Sequence, residues 1–195
     1  MNDFDKIIEC NLEDASIKMG FLKGNEKILF IKTGQGGSMY GYENKYRNIA
    51  HLANEKFGCT VFVSETSNDK REVYEKEMEI VERAFPDGSC EIYYLGVSKG
   101  GLIGIWYGAD NAKVKRILSV NAPLMINFHN RTLPSLKKLT KNKVAMLYGT
   151  LDPSYRYIPF LQGYANVKTV EGADHNFEGK TNEFTDIAIE FLNCV

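Results

Sequence analysis

The residues of this chain best suited to covalent chemistry are a serine and the two glycines that flank it. The pentapeptide 96–100 has the sequence Gly-Val-Ser-Lys-Gly, after the apolar run 92–95 and at the start of the helical segment 99–108. Strand, tight turn and helix in that order hold the central serine in a strained backbone conformation, clear of the sheet. The glycines are required because the two backbones pass too close for a Cβ atom. Ser98 is the candidate nucleophile.

A serine hydroxyl is a weak nucleophile at neutral pH and needs a histidine as general base. The chain contains three histidines. His51 lies in a predicted amphipathic helix and His129 in a connection, where surface or packing roles are expected. His175 directly follows the predicted strand 167–170, and the carboxyl ends of parallel strands are where such folds carry their sites. His175 is therefore the candidate base.

The base needs a carboxylate to orient it, and Asp152 directly follows the predicted strand 144–148. The resulting chain order of serine, acid and histidine differs from the orders in trypsin-like and subtilisin-like enzymes. Asp174 is a rival acid, but it adjoins the histidine in sequence and does not follow a separate strand. We therefore predict Asp152 as the acid.

The oxyanion of a tetrahedral intermediate needs two backbone N–H donors, one after the nucleophile and one from the loop after an earlier strand. Lys99 supplies the first. The glycine-rich loop 31–38 follows the strand 28–31, and the N–H of Gln35 is the candidate for the second. The same loop could cradle a phosphate, but Met39 stands where a dinucleotide fingerprint needs glycine. Nucleotide binding is a weak alternative.

Alternating strands and helices must position these residues. Apolar runs of strand length occur at 28–31, 59–63, 92–95, 114–120, 144–148 and 167–170. Segments of helical character occur at 43–57, 69–85, 99–108 and 182–192. This alternation predicts an α/β fold with a mostly parallel, doubly wound sheet and helices on both faces. Segments 7–12 and 16–22 predict an antiparallel edge at the N-terminus.

Composition indicates a soluble globular chain with one core. With 24 basic and 25 acidic side chains the net charge is -1, which disfavours nucleic acid and anionic membranes as partners. The four cysteines are scattered singly and are expected to be reduced and mostly buried. A targeting segment and a membrane span are not expected, which favours the cytoplasm.

Taken together, the loop 33–35, the pentapeptide around Ser98 and the Gly-Ala-Asp-His segment ending at His175 resemble the α/β-hydrolase superfamily. The resemblance implies a triad of Ser98, Asp152 and His175, no metal or organic cofactor, and an acyl substrate. Thr33 departs from many members, which have histidine there. The connection 121–143 is too short for the helical lid that many members insert, which predicts residues 1–195 as one domain without a cap.

An uncovered site favours a small or exposed carboxylic ester or thioester as the substrate. Its pocket walls are expected from Tyr40, Tyr42, residues 124–128, Tyr155, Tyr157 and Phe160, for which core packing is an equal alternative. Two other functions stay open: a non-catalytic binding protein of the same fold, and a peptidase or acyltransferase that uses the same triad.

Overall fold

The computed structural model describes residues 3–66 and 68–193, which form one eight-stranded sheet and six α-helices. The strands are β1 Lys6–Asn11, β2 Ser16–Leu22, β3 Asn25–Lys32, β4 Cys59–Ser64, β5 Glu91–Val97, β6 Val114–Val120, β7 Val144–Gly149 and β8 Asn166–Val170. The helices are α1 Lys45–Phe57, α2 Arg71–Glu82, α3 Lys99–Gly108, α4 Leu133–Lys138, α5 Ile158–Leu161 and α6 Thr181–Asn193.

The strand order is β1-β2-β4-β3-β5-β6-β7-β8. Strands β3 to β8 pair in parallel, whereas β2 pairs antiparallel with both β1 and β4. The predicted mostly parallel sheet and its antiparallel edge are confirmed. At the antiparallel edge the spatial order of the strands does not follow the sequence, because β2 does not neighbour β3, the next strand in the chain. The link between them passes the start of β4, where a Cβ on Gly24 would lie 2.2 Å from the carbonyl oxygen of Gly58.

Both faces of the sheet are covered, which explains why its central strands are continuous apolar runs. In β3, Ile28 and Phe30 pack into a core with the α2 and α3 side chains, while Leu29 and Ile31 pack into a second core with α1 and α6. All four are fully buried. The prediction of helices on both faces is thus confirmed.

Two of the predicted helices have ends that are wrong by a few residues. Helix α1 begins at Lys45 rather than at residue 43, because Glu43 and Asn44 have left-handed backbones with φ of 50° and 60°. Helix α2 is shorter than the predicted 69–85. Pro86 disfavours a helical conformation for the residue before it, which contributes to the early end.

The connection after β6 contains no strand among its described residues, as expected. It forms a π-helical turn, Phe128–Thr132, followed directly by α4. Trp106 of α3 donates its Nε1–H to the Thr132 hydroxyl over 2.9 Å, and Leu136 of α4 is buried in the core. The connection therefore packs along α3 as part of the helical layer.

Within the described ranges, no helix is both long and apolar enough to cross a bilayer. Cys10 is half-buried, Cys59 and Cys90 are buried, and all three are free thiols. Cys194 lies outside the described residues. The cytoplasmic location stays a prediction.

Candidate active site

Ser98 occupies a tight turn between β5 and α3. Its backbone has φ 53° and ψ −121°, a conformation that residues with a Cβ rarely adopt. Two interactions hold it there: the Ser98 N–H donates to the Val120 carbonyl of β6 over 2.7 Å, and the Ser98 carbonyl accepts from the Gly101 N–H over 3.0 Å. The turn therefore presents the half-buried Ser98 side chain at the carboxyl edge of the sheet.

The flanking glycines are required by close backbone contacts. A Cβ on Gly96 would lie 2.5 Å from the carbonyl group of Gly100. A Cβ on Gly100 would lie 2.3 Å from the carbonyl oxygen of Lys32, at the end of the neighbouring strand β3. No flexible side chain could move aside to relieve either clash, so the spacing of the pentapeptide follows from the packing of α3 on two strands.

Asp152 and His175 are brought together from the loops after β7 and β8. The His175 Nδ1 lies 2.5 Å from Asp152 Oδ2, and the other carboxylate oxygen accepts the Ser154 N–H over 2.7 Å. The Asp152 side chain is fully buried, whereas that of His175 is 46% exposed. When Nδ1 donates to the carboxylate, Nε2 is left free as a proton acceptor.

The ionisation of Asp152 suits an orienting carboxylate. Burial by itself raises the pKa of this carboxyl, but the hydrogen bonds from His175 and from the Ser154 N–H outweigh it, so that the pKa lies below its usual value of 3.8. Asp152 is therefore ionised at neutral pH and can stabilise a positive charge that develops on the imidazole.

Within the described residues, the rival acid, Asp174, forms no hydrogen bond or ion pair with the imidazole. Its Oδ1 accepts the backbone N–H groups of Asn176 and Glu178, each over 2.9 Å. Asp174 thus shapes the loop that carries His175. The other two histidines also lie away from this pair: His51 is buried in α1 and stacked on Phe4, and His129 is exposed after β6.

The loop after β3 passes directly against the serine. A Cβ on Gly34 would lie 3.0 Å from the Ser98 Cβ and 3.5 Å from its Oγ. The Gly37 N–H donates to the Gly34 carbonyl over 3.1 Å, and Gly36 closes this turn with φ 70°. The buried Thr33 hydroxyl donates to the Gly37 carbonyl over 3.3 Å. Thr33 therefore supports the turn through its side-chain hydroxyl, at the position where the resemblance leads us to expect histidine.

Two backbone donors next to the serine are uncommitted. Among residues 3–66 and 68–193, no group accepts a hydrogen bond from the N–H of Gln35 or of Lys99. Lys99 is the first residue of α3, so its N–H has no partner within the helix and carries the positive end of the helix dipole. Its ammonium turns away to Asp69, with Nζ 3.3 Å from Oδ1.

Several solved structures share this architecture at low sequence identity. An α-β serine hydrolase homologue from Coxiella burnetii superposes with a TM-score of 0.76 at 16% identity, covering 100% of both chains. XC6422 from Xanthomonas campestris, an a/b serine hydrolase without lid, gives 0.72 at 12%, covering 99% of this chain and 95% of its own. The chain has the α/β-hydrolase fold.

A third structure is Est1E from Butyrivibrio proteoclasticus with ferulic acid bound, at a TM-score of 0.71 and 14% identity, covering 95% of this chain and 98% of that one. No protein-family model matches the chain, and no curated protein matches it by sequence. The α/β-hydrolase fold is thus established by structure at identities that do not carry an activity across.

Sequence reasoning missed two charged residues that support this candidate site. Glu65 follows β4; its Oε2 accepts the Met39 N–H over 3.1 Å and its Oε1 lies 3.2 Å from the Lys18 ammonium. It thereby ties the loop after β3 to the sheet. An acid directly after a strand was the signal that identified Asp152, and the same signal applies to Glu65.

Lys45, the first residue of α1, is the second charged residue that sequence reasoning missed. Its buried ammonium donates to the Asn176 carbonyl over 2.5 Å, next to His175. Burial lowers the pKa of Lys45 to about 8, although Asp174 opposes the shift. A lysine at the start of an amphipathic helix reads as a solvent-exposed charge, so no sequence pattern distinguishes it.

Exposed apolar side chains occur in the connections that leave the carboxyl edge of the sheet. Among the described residues, six large hydrophobic side chains are exposed, and five of them lie in the connections after β3, β6 and β7: Tyr42, Ile126, Leu151, Tyr155 and Phe160. We call these five the apolar rim. Leu124, an expected pocket wall, is instead buried in the core.

A groove of about 370 Å³ opens beside Ile126 of the rim, between the loops after β6 and β7. It is lined by Pro123, Met125, Ile126, Pro153, Ser154, Arg156 and Tyr157.

No group of three or more His, Cys, Asp or Glu side chains within the described ranges could hold a metal ion.

Proposed function

We propose that this chain is a serine hydrolase that cleaves small carboxylic esters or thioesters through an acyl-enzyme on Ser98. The observation that carries the proposal is the contact between the buried Asp152 carboxylate and His175 Nδ1, at the same sheet edge as the strained Ser98 turn. A strained nucleophile, an oriented base and two free N–H donors together match the requirements of acyl transfer.

In the first half of the reaction, Ser98 Oγ attacks the carbonyl carbon and His175 Nε2 takes the hydroxyl proton. The carbonyl oxygen becomes an oxyanion, which the N–H groups of Gln35 and Lys99 stabilise. Asp152 stabilises the imidazolium. When the intermediate collapses, the bond to the leaving group breaks, Nε2 returns the proton to the departing alcohol or thiol, and the acyl group stays on Ser98.

In the second half, water attacks the acyl-enzyme and gives a proton to His175 Nε2. The second tetrahedral intermediate uses the same two N–H donors. Its collapse breaks the bond between the acyl carbon and Ser98 Oγ, which recovers the proton from Nε2 while the carboxylic acid leaves. This chemistry uses only the chain's own side chains and backbone.

The apolar rim and the groove support a substrate with an apolar or aromatic acyl group. The groove lies between Ile126 and Tyr157, in the loops that follow β6 and β7. Ser98 and Asp152 adjoin the ends of these same strands. Est1E, which shares the fold, binds ferulic acid, an aromatic carboxylic acid. Burial of each methylene of the acyl group in the groove would contribute about 0.8 kcal/mol to the binding free energy.

A fluorophosphonate probe should label the native protein at Ser98, because its phosphorus is attacked as an acyl carbon would be. Labelling should be lost in Ser98→Ala and kept in Ser89→Ala, which removes an exposed hydroxyl before β5. The measurement is in-gel fluorescence with peptide mapping. Unlabelled native protein that still binds ligands without turnover would instead identify a non-catalytic binding protein.

The rim predicts a preference for acyl length. With p-nitrophenyl esters, kcat/KM should rise from acetate to hexanoate, and Ile126→Ser should lower the hexanoate value by roughly 5- to 30-fold, as loss of about 1–2 kcal/mol of apolar contact implies. The acetate value should stay close to that of the native protein. Ile7→Ser is the matched control, because Ile7 is exposed on the distant strand β1. Equal effects of both substitutions would contradict the assignment.

A further inference from the structure

Asn121 lies at the point where three loops of the site meet. It is the residue directly after β6, its side chain is fully buried, and its backbone is left-handed with φ 45°. The Asn121 N–H donates to the Leu147 carbonyl of β7 over 2.8 Å, next to the bond between Ser98 N–H and Val120. Asn121 is therefore fixed between the nucleophile turn and the strand that leads to Asp152.

The Asn121 amide contacts both the acid strand and the base loop. Its Oδ1 accepts the Gly149 N–H over 2.9 Å, at the end of the strand that precedes Asp152. Its Nδ2 donates to the carbonyl oxygens of Asp174 and His175, each over 3.1 Å. One side chain thus uses its acceptor at the end of β7 and its donors on the loop after β8.

We propose that Asn121 is a positioning residue that holds the loops of Asp152 and His175 in register, and so keeps the imidazole aimed at Ser98. The proposal rests on the proposed hydrolase function and adds a residue to it. Loop register matters because a displacement of about 1 Å at a reacting group can cost on the order of 10²-fold in rate.

An asparagine fits this position for two independent reasons. Asparagine tolerates the left-handed backbone better than most residues with a Cβ. A primary amide also supplies an acceptor and two donors on one planar group, which the three partners require. Aspartate has the same shape but would supply acceptors only, and two carbonyl oxygens of the base loop would then face a carboxylate.

The sequence offers a matched control in Asn44, directly before α1. It also has a left-handed backbone, with φ 60°, but its side chain is exposed. Glycine suits a left-handed backbone at both positions. Comparison of Asn121→Gly with Asn44→Gly therefore removes an amide at each site without adding backbone strain.

The experiment measures steady-state hydrolysis of p-nitrophenyl acetate and the downfield proton NMR signal of the His175 Nδ1–H. Asn121→Gly should lower kcat by on the order of 10²-fold while KM changes by less than about threefold. The NMR signal should broaden or be lost. Asn44→Gly should retain the native kcat and the native signal.

Asn121→Asp tests the donor contacts of the amide separately from its acceptor contact. It also provides a second test if Asn121→Gly does not fold. It retains an acceptor for the Gly149 N–H and loses both donors to the base loop, so it should show the same loss of kcat and the same loss of signal. If either folded variant kept the native signal, the positioning role would be overturned, whatever its rate. A native protein that shows this signal but no Ser98-dependent turnover would reject the hydrolase function and not the contact.

Discussion

His175→Ala should lower the rate of ester hydrolysis by on the order of 10⁴-fold, because the members of a triad act as a unit. Without the imidazole, the Ser98 proton has no acceptor, and the buried Asp152 carboxylate loses the partner that lies 2.5 Å away. For the same reason the double variant with Ser98→Ala should be little slower than either single variant. The measurement is kcat for p-nitrophenyl acetate, with background hydrolysis subtracted.

His129→Ala is the control for this prediction, since His129 is an exposed histidine at the same end of the sheet. It should retain native activity. If His175→Ala kept activity within tenfold of the native protein, the proposed base would be wrong, and with it the role of Asp152. Fluorophosphonate labelling of Ser98 would then report only on a reactive serine.

The second large effect is expected in the core, at the ion pair between Lys32 and Glu77. Lys32 Nζ lies 2.7 Å from both carboxylate oxygens of Glu77, both side chains are fully buried, and Ser64 Oγ hydrogen-bonds to the same carboxylate. Lys32→Met leaves a buried carboxylate without its counter-charge. The free energy of unfolding should fall by about 3–5 kcal/mol.

Urea unfolding measures this change, and two further variants define its origin. Lys32→Met combined with Glu77→Met should be less destabilised than Lys32→Met alone, because no unpaired charge stays buried. Lys70→Met is the surface control: its ion pair with Asp14 is equally short, at 2.7 Å, but exposed, so the free energy of unfolding should stay close to that of the native protein. Similar losses in Lys32→Met and Lys70→Met would contradict the argument.

Hydrophobic patterning accounts for most of what could be predicted about the fold. The run 28–31 is apolar at every position because β3 is covered on both faces, and this signal located the sheet. Ser98 was then predicted from its glycine-flanked pentapeptide, and Asp152 and His175 from the rule that side chains directly after parallel strands meet at one edge. The left-handed backbone at Glu43 and Asn44, which delays α1, leaves no comparable pattern.

The supporting residues escaped prediction because their partners are remote in sequence. Lys32 and Glu77 are 45 positions apart, and each alone reads as a surface charge. Asn121 and Lys45 contact main-chain carbonyl groups of the loop around His175, which have no residue-specific signal. A strand-end rule could have singled out Asn121 but not its three partners. Tertiary contacts of this kind are visible only in the folded chain.

The path of the chain around Gly24 bears on how the protein folds. Strands β2 and β3 are joined by only two residues, yet β4 lies between them in the sheet. Two-residue links are the usual connections of antiparallel hairpins, so we expect a local β2–β3 hairpin to compete with the native order during folding. That hairpin would have to open to admit β4 and would therefore act as a kinetic trap. We expect the N-terminal edge to be the last part of the sheet to reach its native pairing.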